Sequence, residues 1–230
     1  MLFIENPYLK EFDAKIVNIN TNQITLDQTA FYARSGGQPG DVGQLTTNGM
    51  TINIIDTIKD QENNIIHIAE NNIELEIGEK IQGIINWDKR YKHMRMHSAL
   101  HLLCSVIPLD VTGGQIGCDK SRLDFNAQDY KIEKEEIEYT INSLVKKDHE
   151  ISYQWSTNDE LEQQPELVRT LSVQPPKIKG KIRLVKIGNV DLQPCGGTHV
   201  KSTAEIKEIK IGKIENKGKI NRRVNLLIND

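Results

Sequence analysis

"DKRYKHMRMHSALHLLCSVI", residues 88–107, is the stretch in which the periodicity of the chain changes. It contains neither Gly nor Pro before Pro108, and its apolar positions suit one face of a helix against a core. Asp88 is the predicted N-cap, a short carboxylate able to accept from the first free backbone N–H groups. Upstream, residues 13 to 87 alternate apolar and polar ("AKIVNIN", "TINIIDTIK", "NNIIHIAE", "KIQGIIN") between Gly, Asn and Asp clusters. That period of two predicts short antiparallel strands in a small sheet or barrel. The boundary falls at Trp87, dividing the chain into a domain of residues 1–87 and a second of 88–230.

Downstream, "IEKEEIEYTINSLVKKDHE" (132–150) predicts a second helix, with glutamates in its first turn and Lys146 and Lys147 near its end. "TNDE" (157–160) is a capping box opening a short third helix. After Pro175-Pro176 the strand pattern returns in "KIRLVKI", "AEIKEIKIGKIE" and "INRRVNLLI". The expected fold class is α+β: a small N-terminal β-barrel-like domain, then helices laid on an antiparallel sheet.

With 37% hydrophobic and 27% charged residues over 230 positions, the composition is that of an ordinary globular protein with ample core. The start, "MLFIENPYLKEFDAK", lacks the pattern of a signal peptide, and no membrane-length apolar run occurs. A cytoplasmic protein is expected, with no membrane partner. Its three cysteines, Cys104, Cys118 and Cys195, are an odd number that argues against a disulfide framework. The net charge is −3, yet residues 177–223 carry thirteen Lys or Arg against four acids, leaving +9 there and −12 elsewhere. That segment is either a polyanion-binding surface or a strand-rich region with lysines on its solvent face.

His93, His97 and His101 follow one another at intervals of four. At ~1.5 Å per residue the outer two stand ~12 Å apart along a helix, so one metal ion can use only a neighbouring pair. His97 and His101 have apolar neighbours, whereas His93 lies in the basic stretch "KRYKHMR", expected to be solvated. A lone histidine on an apolar face is most often a core residue, but a second cluster lies at "CGGTH", Cys195 to His199. His-x3-His on a helix with Cys-x3-His on a tight turn completes a tetrahedral zinc set of three imidazoles and one thiolate. Ser98 stands where His-Glu-x-x-His peptidases carry their glutamate base, which disfavours amide hydrolysis and leaves ester hydrolysis as the easier chemistry. Four protein ligands usually mark a structural site. Either the site expands to five during reaction, one ligand is loose, or zinc anchors the substrate while water is positioned elsewhere.

"HSALHLL" followed by "DLQPCGGTHVKSTAEIKEIKI" resembles the editing domain of alanyl-tRNA synthetases and the free-standing AlaX proteins. "FYARSGGQPGDVGQL" is similar to the glycine-motif segment preceding that domain, and "NKGKINRRV" to its end. The resemblance covers most of the chain and leaves no room for an ATP-using aminoacylation domain. It implies an ATP-independent trans-editor of the longer AlaX type, acting on tRNA(Ala) mischarged with serine, and with glycine as a second candidate. Gly36, Gly37 and Gln38 would then approach the acyl-adenosine end, where the residues alone favour a plain β-turn. Gln115 matches a glutamine near the metal in relatives, in a shorter loop, and Thr112 is a further candidate for reading the serine hydroxyl. Many synthetase editing domains have threonine before the second histidine; this chain has Leu100, so the hydroxyl reader is left open. Arg222 and Arg223 are expected phosphate contacts and Cys104 a core residue, while Cys118 receives no role. The same residues also fit an editor of Ser-tRNA(Thr), a non-catalytic zinc-stabilised nucleic-acid-binding module, or a zinc hydrolase of small esters.

Overall fold

Along Glu11–Asn20 alternate side chains turn inward: Phe12, Ala14 and Ile16 are buried while Glu11, Asp13 and Lys15 are exposed, as a period of two requires. The computed structural model describes residues 1–128, 130–169, 177–178 and 180–228, and the chain divides into two units, Met1–Tyr91 and Lys92–Asp230. In the first, a one-turn helix α1 (Leu2–Glu5) precedes strands β1 (Glu11–Asn20), β2 (Gln23–Leu26), β3 (Gly43–Thr47), β4 (Met50–Lys59), β5 (Ile65–Ala69) and β6 (Lys80–Ile85). They form a closed antiparallel barrel in the order β1-β2-β5-β4-β3-β6, with β6 returning to β1 from Glu11↔Ile84 to Lys15↔Lys80. Closure leaves no open sheet edge. Phe12, Ile16, Ile24, Phe31, Leu45, Ile54 and Ile81 fill the interior. Gly83 in β6 makes room for Phe12, because a Cβ there would stand 2.3 Å from the ring.

The long β2–β3 connection holds the glycine motif. It is tied down by Asp41, whose carboxylate accepts from Tyr32 N at 2.6 Å and from Arg90 Nε at 3.0 and 2.9 Å. Arg90 Nη1 and Nη2 donate to the carbonyls of Pro7 (2.9 Å) and Ala30 (2.7 Å). Both side chains are buried, so removing either partner strands a charge, at a cost of ~3–5 kcal/mol.

Helix α2 (Trp87–Val106) starts one residue before the expected cap. The Asn86 side chain accepts from Lys89 N at 3.1 Å and fills the capping role, placing Asp88 in the first turn where its charge suits the macrodipole. Every residue from His93 to Cys104 is buried, so α2 is enclosed on all faces instead of presenting one. The basic stretch before His97 is therefore not solvated as expected. Arg90 and His93 are buried, and Arg95, also buried, donates to the Ile206 carbonyl at 3.2 and 3.0 Å.

The second unit continues with β7 (Val111–Gln115), β8 (Lys120–Asn126), α3 (Lys134–Lys146), β9 (Ile151–Ser156), α4 (Asn158–Glu162), a 3-10 turn (Pro165–Leu167), β10 (Lys177–Ile178), β11 (Lys181–Ile187), β12 (Asp191–Pro194), a second 3-10 turn (Thr203–Ile206), β13 (Ile209–Lys217) and β14 (Asn221–Ile228). One four-stranded sheet runs β13-β14-β8-β7; in the other, β11 pairs with β9, β10 and β12. The capping box is present, with Thr157 Oγ1 accepting from Glu160 N and Glu160 from Thr157 N. Helix α3 is shorter than its sequence pattern, ending before Asp148 at φ +51°, and "AEI" at the head of the expected strand 204–215 is a 3-10 turn. The Pro175-Pro176 break lies outside the described residues. No helix among those residues is long and apolar enough to cross a membrane.

Candidate metal centre

Helix α2 aligns His97 and His101 one turn apart, and the loop leaving β12 brings Cys195 and His199 against them. The four donor atoms lie within 4.8 Å of one another. Cys195 Sγ stands 3.4 Å from His97 Nε2 and 3.3 Å from His199 Nε2. Donors held 2.0–2.3 Å from one ion at tetrahedral angles would stand ~3.3–3.7 Å apart, so this set could hold a metal ion with little movement. The three imidazoles are buried and Cys195 is partly exposed.

A second layer of bonds orients the donors. Asp191 Oδ2 lies 2.8 Å from His101 Nδ1, and Asp191 Oδ1 accepts from Gln193 Nε2 at 2.7 Å. This is the carboxylate–histidine arrangement that turns the other ring nitrogen towards a metal. Ser98 Oγ, 3.2 Å from His199 Nδ1, also accepts from Val200 N at 3.3 Å. With His199 Nε2 facing the sulfur, Nδ1 carries the proton and donates to Ser98. The buried Arg183 donates to the carbonyls of Cys195 (Nε, 3.0 Å) and Gly197 (Nη2), and stacks 4.7 Å over the Tyr153 ring. The Tyr153 hydroxyl in turn accepts from the His199 backbone N–H. Arg183 and Tyr153 thus brace the Cys–Gly–Gly–Thr–His turn.

Protonation follows from these neighbours. Burial would hold the Cys195 thiol protonated, but the adjacent His97 and His199 outweigh it and bring the thiol well below its ordinary value. Burial and nearby His97 hold His199 neutral. Burial also works against a charged His101, yet the bonds to Asp191 and Cys195 prevail and raise it to about 10. Two donors are ready for a cation; the third must first lose a proton.

The other expected site residues lie elsewhere. Thr112 and Gln115 are on β7 and Arg222 and Arg223 on β14, two strands of the same sheet. Thr112 Oγ1 donates towards Asp124 O and Asn221 Oδ1, both at 3.1 Å, and the exposed Gln115 accepts from Arg122 Nε at 3.4 Å. Arg223 is committed to Asp124 through bonds of 2.7 and 2.9 Å, whereas Arg222 Nη1 reaches only local carbonyls. Gly36 (φ +55°) and Gly37 (φ +81°) form the turn of a tight hairpin closed by Ser35 N to Gln38 O and its reciprocal. Both central residues need positive φ, so glycine is required by the turn itself. A Cβ at Gly36 would meet nothing within 4 Å. Gln38 is buried. Cys104 lies in the core, and Cys118 Sγ is 3.4 Å from His93 Nε2.

Asp191, Ser98, Arg183 and Tyr153 are the positions that sequence reasoning missed. Asp191 had one faint signal, a lone acid four residues before Cys195 in a segment rich in Lys and Arg.

The family described as tRNA synthetases class II (A) matches residues 3–89, and the threonyl and alanyl tRNA synthetase second additional domain matches residues 182–225. The chain is similar to the alanyl-tRNA editing protein AlaX-M of Methanosarcina mazei, 39% identical over 97% of this chain and 94% of that one. AlaX-M of Methanosarcina acetivorans is 37% identical over 97% and 96%. AlaX-L of Pyrococcus horikoshii is 36% identical over 95% of this chain and 55% of its own length.

Proposed function

We propose that this chain, which belongs to the AlaX family of alanyl-tRNA editing proteins, is an ATP-independent trans-editing hydrolase that frees tRNA(Ala) of a wrong amino acid, chiefly serine. The observation that carries the reading is the convergence of His97, His101, Cys195 and His199, with zinc the ion their donor set suits. Residues 1–87 would then carry the glycine motif, residues 88–230 the editing centre, and the work would be done in the cytoplasm.

Zinc bound there would supply a Lewis acid to the ester. The chain's own contribution is orientation: Asp191 fixes His101, Ser98 fixes His199, and Arg183 with Tyr153 fixes the turn between Cys195 and His199. With Ser98 committed to His199 and Val200, α2 offers no carboxylate base beside His97. That suits an ester of the terminal ribose, whose alkoxide leaves more readily than an amine.

Discrimination sets the harder requirement. Serine is larger than alanine, so a cavity that admits serine by size also admits alanine. Polar groups satisfied only by the hydroxyl can discriminate by ~10⁴. Gln115 is the first candidate reader, exposed at the end of β7. Thr112 is the second: its proton is directed at Asp124 and Asn221, leaving oxygen lone pairs able to accept. A site that requires the hydroxyl spares glycine as well, so glycyl-tRNA(Ala) should be the poorer substrate. Gly36, Gly37 and Gln38 remain candidates for the acyl-adenosine end, with the turn backbone as the contacting group.

The threonyl alternative shares the second additional domain, but relatives matching nearly end to end favour alanine. Deacylation of seryl- and alanyl-tRNA(Ala) and seryl-tRNA(Thr) by purified protein tests the reading. Fast loss of serine from tRNA(Ala) with alanine spared is expected; equal hydrolysis of both acids on that tRNA would end the proofreading claim.

A further inference from the structure

We infer that the groove between α3 and β13 docks the phosphate backbone of RNA and offers Tyr139 to an unpaired base, an inference that rests on the tRNA-directed reading above. The groove is open and about 1580 Å³ in volume, beyond the ~300–1,000 Å³ of small-molecule pockets, so its size fits a macromolecule. Its walls are firmly joined. Helix α3 buries Ile137, Ile141 and Val145, Asn142 bonds both N and O of Ile209 (2.9 and 2.8 Å), and Glu138 accepts from Ile211 N at 2.8 Å.

Tyr139 does not share in that packing and is 77% exposed. Around it the lining carries five lysines against three glutamates. Lys210 is already bridged by Glu138 (3.3 Å) and Glu208 (3.0 Å), so the attraction for anions rests on Lys134, Lys146, Lys207 and Lys213. Lys134 and Lys146 are the end residues of α3, ~18 Å apart along its axis. That is the axial length of about five nucleotides of one strand at ~3.4 Å each. An exposed ring among spaced lysines matches the demands of single-stranded or looped RNA, a π-face for a base and cations for its phosphates.

The basic segment 177–223 is less available than its charge suggests. Arg183 is buried, Arg223 holds Asp124, and Lys217 pairs with Glu215 at 3.1 Å. Lys134, Lys146 and Tyr139 lie outside that segment.

The test measures the affinity of the full chain for uncharged tRNA(Ala) across a salt series, beside hydrolysis of a seryl ester of adenosine. Lys134→Ala with Lys146→Ala should weaken tRNA binding and flatten the plot of log K against log salt by nearly 2, at ~0.9 per lost phosphate contact. Tyr139→Ala should weaken binding ~5-fold or more and Tyr139→Phe should restore it, since the ring and not the hydroxyl stacks. Hydrolysis of the small ester should not change. All three sites are exposed, so folding is not at risk. Unchanged affinity and salt slope in these variants overturn the inference. So does a poly-glutamate peptide that binds as tightly as tRNA while Tyr139→Ala leaves tRNA affinity alone, which would mark an acidic-protein site. Because the tRNA is uncharged, a protein that binds through this groove yet deacylates nothing would refute the editing reading and leave this one standing.

Discussion

In the barrel unit the buried Arg90 guanidinium meets the Asp41 carboxylate and the Pro7 and Ala30 carbonyls, whereas in the second unit three imidazoles and a thiol converge chiefly on one another. The barrel's buried polar groups are complementary as they stand. Those of the metal centre are not: one thiol faces two imidazoles at 3.3–3.4 Å, and His101 favours the proton that Cys195 and His199 give up. A dication resolves both conflicts at once. The difference teaches that one unit is completed by protein alone and the other by an ion.

The largest expected effect breaks that comparison on the metal side. The two tryptophans report separately, Trp87 from the first unit and Trp155 from β9 of the second. Chelation or Cys195→Ala should lower the stability read by Trp155 far more than that read by Trp87, because zinc binding energies of ~10–16 kcal/mol add to folding where the site forms. Deacylation should vanish with the metal. Zinc retained at one per chain after His97→Ala with His101→Ala would remove these residues as ligands.

On the barrel side, Arg90→Ala should cost ~3–5 kcal/mol in the Trp87 transition, because Asp41 is left charged and buried. Asp41→Asn with Arg90→Met should recover part of it, since an unpaired charge costs more than an absent pair. Loss confined to the Trp155 signal would contradict the assignment of Arg90 to the first unit.

Features with a local period were legible before the fold was known. Alternation marked the barrel strands, the change at residue 88 marked α2, Thr157 and Glu160 marked the cap of α4, and spacing brought out the four donors. Long-range bonds were not legible. Asp191 meets His101 across 90 positions, Ser98 meets His199 across 101, and Arg223 meets Asp124 across 99. No local pattern encodes such pairings, which is why Arg223 read as free charge and Ser98 as a missing base. The enclosure of α2 was hidden because Arg90, His93 and Arg95 look like a wet face until their internal partners are known.

His67 sharpens the contrast through pH. Burial holds it at about 4, although its bond to the Ile24 carbonyl favours the charged form. Nδ1–H must donate to Ile24 O (3.0 Å), so Nε2 accepts from the Thr29 hydroxyl (2.9 Å), and a second ring proton would oppose that hydroxyl. The unfolded imidazole, at ~6.5, takes up its proton first as pH falls. The stabilising contribution is complete above ~6.5 and is lost progressively towards 4, about 3 kcal/mol in all. Denaturation followed by Trp87 should show this decline, and His67→Gln should flatten it. An equal slope in the variant would assign the decline to other groups.

The smallest effect is the most specific to the metal unit. Asp191 acts twice on His101: it orients the ring for the ion, and it strengthens the hold of the competing proton. With His101 at about 10 in the metal-free protein, binding displaces a proton from it at every lower pH, so its share of the affinity should rise about tenfold per pH unit between 6 and 9. Asp191→Asn should lower zinc affinity ~10–100-fold at pH 9, where orientation and basicity dominate. Towards pH 6 the loss should shrink, because burial without Asp191 favours a neutral His101 and the proton no longer competes. A competition titration with a chromophoric chelator across this range separates the two roles. Parallel affinity lines for the two proteins would mean that Asp191 only positions the ring; crossing or converging lines would show that the carboxylate also sets the proton the metal must displace.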